Sequence, residues 1–455
     1  MTANTATGKT TGKNWERWTD HQLRLRDTLS WAFASAPLAP GVDEYGRLLL
    51  LDTIGCMLAG RVAPEVIALE EQFNNLESGP FSFPQGRRLT SSAICTIGAM
   101  AATWDEACEG HALAHGRPGA ALIAALLPLA LTRDTRLGPL LAALSAGYET
   151  GARAGAWLRI RPGMHVDANW PALGVAAGVA HLLGLDGDDA MTAVNIAACQ
   201  LPTSLYLPVS AGSVARNTYL GHAAWLGTMA ALTAQAGMGA PADALGYYAD
   251  NYSAATPDLL IPAGRHLMLE GYLKPYAAVR HVHYGIEAAR AAREQIDDVK
   301  TISRIRLKIY PEAITYCGNR DPQTAIQAQF SLSYGVAAAL RFGTVDPGQY
   351  RKDRFNEAEV RRLEKLVVLE PDSALGEAGQ RGATLSIEAG YKEAEATVST
   401  IKGDPQDPMS QEEVAAKFLR YAAPSVDPEK AYHFAAAMVT CTSDTPVRQL
   451  WDLLF

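Results

Sequence analysis

The chain has 455 residues, 48% of them hydrophobic and 19% charged, and a formal net charge of −8 at pH 7. That is enough apolar material for large cores and enough length for two or three domains. An acidic balance without a basic stripe excludes nucleic acid as a partner, and six cysteines (Cys56, Cys95, Cys108, Cys199, Cys317, Cys441) without CxxC or CxxH spacing exclude a cysteine zinc site or a disulfide framework. Scattered thiols fit a reducing compartment, so a cytoplasmic location is expected. The first twenty residues are polar and rich in Thr and Lys, with no apolar core for a signal peptide. The longest apolar run, Ala120–Thr132, is too short to span a bilayer and is interrupted by Pro128, so no membrane association is expected.

From about Leu23 to Tyr272 the pattern is helix after helix. Arg47–Gly60 carries apolar residues on a helical period and stops at Gly60. Ser92–Thr103 and Ala120–Thr132 read as buried helices, and Leu137–Trp157, Ala172–Leu183, Asp188–Gln200 and Gly221–Gly237 are all rich in small or apolar residues. Small residues let helices approach closely, so a compact bundle is predicted; no fixed-period repeat supports a solenoid. The texture changes after Tyr276. Ile302–Tyr310 alternates apolar and charged residues like a half-buried strand, and Glu359–Leu369 ends in another such stretch. Gly382–Ile401 reads as two strands joined around Gly390–Tyr391, and Ile286–Gln295 and Gln329–Phe342 as helices. From Ser410, after the Pro/Asp-rich stretch Gly403–Met409, the chain is helical again. The prediction is a mainly α protein: a large all-helical domain from residues 1–273 and 409–455, with a smaller α+β domain, 274–408, inserted between them.

The densest chemistry lies in Trp104–Gly119 (WDEACEGHALAHGRPG), which sets Asp105, Glu106, Glu109, His111 and His115 between two apolar stretches. Titratable groups held between apolar helices are desolvated, which moves carboxylate pKa values toward neutrality and suits them to proton transfer. Asp105 and Glu109 are four apart, so a helix would put them on one face. Four other clusters stand out: RPGMH at Arg161–His165, VARNTYLG at Val214–Gly221 with Arg216 and Tyr219 at the start of an Ala-rich helix, KPYAAVRHVH at Lys274–His283, and YCGNR at Tyr316–Arg320. Together they supply cations for carboxylates and imidazoles for proton transfer. His111, His222 and His433 read as structural. There is no GxGxxG after a strand, no GxxxxGK[ST], no HExxH and no GxSxG, so no residue pattern demands a nucleotide, a metal or a covalent serine mechanism.

Several of these segments, in this order, resemble the MmgE/PrpD family, which includes 2-methylcitrate dehydratase, cis-aconitate decarboxylase and iminodisuccinate epimerase. The resemblance runs through LLDTIGCMLAG, GYETGAR at Gly147–Arg153, GMH at Gly163–His165, GMGAP at Gly237–Pro241, KPYAAVRHVHYGIEAA at Lys274–Ala289, QFSLSY at Gln329–Tyr334 and GDPQDPMSQEEVAAKF. It implies a helical domain built from both chain ends, an α+β lid and a homodimer. It matches Asp105, His115, His165 and Lys274 to catalytic positions, and Arg280 and His283 to the basic residues that follow the lysine. The chain departs from the family at Glu109, where the family has threonine, and at Arg216 and Tyr219, where it has lysine and histidine. HPG is replaced by HGRPG.

The resemblance implies a lyase that needs no metal or cofactor, acting as a dehydratase on a small hydroxy-polycarboxylate. Epimerisation or decarboxylation of a related compound is the alternative within the fold, and a non-catalytic binding homologue the alternative outside it. In this reading Asp105, His115, His165 and Lys274 handle protons, while Glu109, Arg216, Tyr219, Arg280, His283 and Tyr316 hold the substrate. Arginine at 216 is a poor proton donor but has a two-pronged fork for carboxylate, so Arg216 is expected to bind rather than catalyse.

Overall fold

The computed structural model describes residues 12–34, 38–254, 261–379 and 381–455, with backbone alone for 12–22 and 377–379. Residues 1–11 of the polar leading segment lie outside it. The described residues are mainly helical, with 20 α-helices, two two-stranded ladders and one four-stranded sheet. None of the helices is long and apolar enough to cross a membrane.

The helical body is close-packed where side chains are smallest. Helix Leu137–Trp157 lies against Pro171–Leu183, and a Cβ on Gly174 would stand only 2.7 Å from the carbonyl oxygen of Gly147. Any larger residue there would push the two helices apart. Helix Ser91–Trp104 begins at Thr90, whose hydroxyl accepts the Ala93 N–H. It packs on Pro40–Gly60 and Pro118–Thr132.

The four-stranded sheet runs in the order Val367–Pro371, Ile302–Ile309, Ala383–Ala389, Lys392–Val398. The first pair is parallel and the others antiparallel. Ile305, Leu307 and Ile309 are buried, the strand packing on helix Ala358–Leu366 and Leu307 also meeting Gly285 of helix Arg280–Arg293. The register shifts between Ile302 and Arg304, which lets Ile302 stay buried although it is out of step with the other three. The helix expected over 329–342 starts only at Leu332, after a separate short helix, Ala325–Gln329. The late start has a local cause: the Ser331 side chain accepts the Tyr334 N–H and starts a new helix.

The final helices return to the helical body. Helix Gln411–Ala422 opens with a reciprocal cap between Ser410 and Glu413 and packs on Pro40–Gly60. Lys417 Nζ lies 2.5 Å from Asp52 Oδ1, and both side chains are out of solvent. The same ammonium donates to the Ala107 carbonyl at 2.8 Å. The chain's C-terminal part thereby grips the acidic loop after Trp104. Breaking this pair strands a buried charge, so Lys417→Met should lower unfolding free energy by about 3–5 kcal/mol in urea titrations. Adding Asp52→Leu should recover most of that loss; if it does not, the lysine acts mainly through Ala107.

Candidate active site

Two short ladders carry the site's segments to one place. Gly110–His111 pairs with Gly271–Tyr272, which sets the acidic loop beside Lys274. The Tyr272 ring lies over Gly110 so closely that a Cβ there would stand 2.4 Å from it. Met164–His165 pairs with Ser204–Leu205, which sets His165 beside Tyr206. The two rings stack with centroids 6.0 Å apart. Across the gap, Val279 N–H donates to the Gln329 carbonyl and Gln329 Nε2 to that of Trp104, fastening the α+β part against the loop.

Between these elements lies a cavity of about 400 Å³. Its wall contains six cations (Arg117, Arg159, Arg216, Lys274, Arg280, Arg381) and four carboxylates (Glu106, Glu109, Asp167, Glu312), so its formal balance favours an anion. At the floor, Glu106 Oε1 accepts from Arg117 and, at 2.8 Å, from Lys274 Nζ, while Oε2 accepts from Arg216. Lys274 also donates to the Glu106 carbonyl at 2.9 Å. The second prong of Arg117 reaches Asp167. Burial alone would raise the Glu106 carboxyl, but Arg117, Arg216 and Lys274 together hold it well below the usual range. Glu106 and His115 both have left-handed backbone, φ +56° and +55°. Such conformations in residues other than glycine cluster at functional sites.

The imidazoles are neutral. Burial, followed by the Arg216 and Arg117 charges, lowers His165 to about 4 despite the opposing pull of Asp167. His165 Nδ1 accepts the Asp167 N–H at 3.2 Å, which puts its proton on Nε2. His115, at the exposed side of the cavity, falls to about 4 through desolvation and then through Arg159 and Arg381. His281 is lowered to about 3, chiefly by burial, and its Nδ1 is 2.7 Å from the Tyr310 hydroxyl.

Of the residues singled out in the sequence, His115, His165, Lys274, Glu109, Arg216, Arg280 and Tyr316 line this cavity. Asp105, His283 and Tyr219 do not. Asp105 is a correction: the helix ends at Trp104, and the chain turns left-handed at Glu106, so Asp105 and Glu109 share no helix face. Asp105 is buried against Arg351 on another side of the loop, with burial raising its pKa to about 6. Its neighbour Glu106 enters the cavity instead. His283 lies behind the wall, with Nε2 at 2.9 Å from the Ala278 carbonyl and Nδ1 at 3.3 Å from Arg280. The Tyr219 hydroxyl donates to the Leu205 carbonyl, and its ring meets the edge of His165. The open fork expected at Arg216 is already engaged, with Nη1 on the Thr103 carbonyl and Asn217 and Nη2 on Glu106. Sequence reasoning missed Glu106, Arg117 and Asp167 as a unit, although the adjacent acid, the inserted arginine of HGRPG and the HxD spacing were all in view. Among the described residues no group of three or more His, Cys, Asp or Glu is placed to hold a metal ion.

Glu109 has a structural duty: its Oε1 accepts the N–H groups of Gly119 (2.8 Å) and Ala120 (3.2 Å) at the start of helix Pro118–Thr132. Burial outweighs those bonds and raises its pKa to about 7. A folded-state pKa above the unfolded value makes stability fall as pH rises toward 7. Glu109→Gln keeps the accepting oxygen and removes the titration. Relative to wild type it should gain about 1–3 kcal/mol in unfolding free energy between pH 4.5 and pH 8. Parallel pH profiles of the two proteins would contradict this.

Fold and cavity define a class: a mainly helical protein with an inserted α+β unit and a cation-rich pocket between the two. Residues 33–250 match the MmgE/PrpD N-terminal domain and residues 276–442 the MmgE/PrpD C-terminal domain. The chain belongs to the MmgE/PrpD family, which includes lyases such as dehydratases and decarboxylases. It is similar to a cis-aconitate decarboxylase-like protein, oryM, of Aspergillus oryzae (strain ATCC 42149 / RIB 40). The two are 24% identical over 450 residues, covering 91% of this chain and 93% of the relative.

Proposed function

We propose that the chain is a lyase that dehydrates a small hydroxy-carboxylate by general acid–base chemistry at this cavity, using its own side chains. The observation that carries the reading is the meeting of two neutral imidazoles with a buried, hydrogen-bonded ammonium inside a wall of excess positive charge. His115 is the base that takes the proton from the carbon next to the substrate carboxylate. The electron pair left on that carbon forms the double bond and expels the β-hydroxyl. Lys274 has two of its hydrogens on Glu106, and its third protonates the departing oxygen, so that water leaves. His165 donates from Nε2 to the substrate and orients it, and the surrounding cations stabilise the enolate-like charge.

Decarboxylation is the second reading, favoured by the similarity to the cis-aconitate decarboxylase-like protein of Aspergillus oryzae. Proton NMR in D2O over a panel of hydroxy-di- and tricarboxylates separates the readings. Dehydration gives a new vinyl signal without CO2 release. Decarboxylation gives CO2 and a solvent deuteron on carbon, epimerisation gives exchange alone, and a folded protein inert on the whole panel would be a binding homologue.

Two outcomes follow for the imidazoles. His115→Ala should lower kcat by about two to four orders of magnitude while circular dichroism stays unchanged. The acid limb of kcat/KM should have its midpoint near 4, where His115 and His165 gain protons. A limb near the ordinary histidine value would contradict the desolvation of the catalytic imidazole.

A further inference from the structure

We infer that Glu106 is a resident carboxylate: it fills, from within the chain, the anion position at the cavity floor and limits the enzyme to substrates with one carboxylate fewer than its cations would otherwise hold. The inference rests on the reading of the cavity as a carboxylate site and adds which carboxylate it refuses. Three cations from separate parts of the chain (Arg117, Arg216, Lys274) all point at the two oxygens of Glu106, and all four side chains are buried. That is the arrangement a site presents to a bound carboxylate, here supplied by the protein itself. No paired fork is left over. Arg117 spends its other terminal nitrogen on Asp167, and Arg216 spends its own on Thr103 and Asn217. Among the described residues the Nε atoms of Arg117 and Arg216, like Asp167 Oδ1 and Asn217 Nδ2 beside them, are buried without a hydrogen-bond partner. The cations open to an incoming anion lie instead toward the side of the α+β unit and the cavity's outer wall. Among the described residues the Arg159 guanidinium donates to the Leu113 carbonyl, and Arg381 stands 3.5 Å from the exposed Glu312.

The left-handed backbone at Glu106 supplies a clean test, because glycine adopts φ +56° without strain. Glu106→Gly should remove the carboxylate without straining the backbone, leaving its three cations for an added anion to neutralise. Formate should then raise the melting temperature of Glu106→Gly and leave wild type unmoved. Citrate, measured by titration calorimetry, should bind Glu106→Gly at least roughly tenfold more tightly than wild type, as expected when a charge-assisted pair is regained. Glu106→Gln, which loses the charge but keeps the position filled, should gain clearly less. Equal citrate affinity in wild type and a folded Glu106→Gly would overturn the inference, and so would equal gains in the Gly and Gln variants. Should Glu106→Gly fail to fold, Glu106→Asn, which also tolerates left-handed backbone, takes its place with formate as probe; no formate response there overturns the inference as well. Binding is read without turnover. A lyase with no gain in anion binding contradicts this inference alone, and an inert chain that gains it contradicts only the proposed reaction.

Discussion

One buried carboxylate balances three buried cations, and the site's geometry depends on that balance. Glu106 ties together the loop after Trp104, Arg216 at the foot of helix Thr218–Gln235, and Lys274 at the start of the α+β segment. In a low-dielectric interior an unpaired charge is far more costly than an exposed one, so these segments cannot separate without solvating their charges. The Lys417–Asp52 pair repeats the device one layer deeper, reaching the same loop through the Ala107 carbonyl. Charge pairing therefore fixes the loop from both sides, while the two short ladders set its register.

Desolvation lowers the imidazoles, and the cavity's cations add to it. Desolvation beside guanidiniums disfavours the imidazolium, so the buried His165 and the more exposed His115 are both lowered to about 4. The positive field that attracts a substrate anion thus also adds to the suppression of imidazolium by desolvation. The carboxylates respond differently according to whom they meet. Glu106, surrounded by cations, is driven down. Glu109 is pushed by burial to about 7, although the helix N–H groups it caps oppose the rise.

The helices and strands were legible because burial writes itself into the sequence as periodicity. Leu137–Trp157 is helical over the span read from its small and apolar residues, and the alternation in 302–310 reports a strand with one wet face. Sequence patterns lost accuracy where a single side chain decides the backbone, as at Ser331. They failed in the same way at Asp105 and Glu106. Two adjacent acids look alike in a sequence, and only the left-handed turn sends one to Arg351 and the other into the cavity. Arg216 stood out as an unusual cation, yet its partner lies 110 residues away, beyond any local pattern.

The ionisation of Glu106 is the point on which the site stands or falls. Isotope-edited infrared spectra of 13C-glutamate-labelled protein, with Glu106→Gln as the difference reference, report it directly. The expected result is a carboxylate band for Glu106 at every pH at which the protein remains folded, with no protonated carboxyl band. A protonated Glu106 in the folded protein near pH 7 would mean that the three cations are not held by this charge.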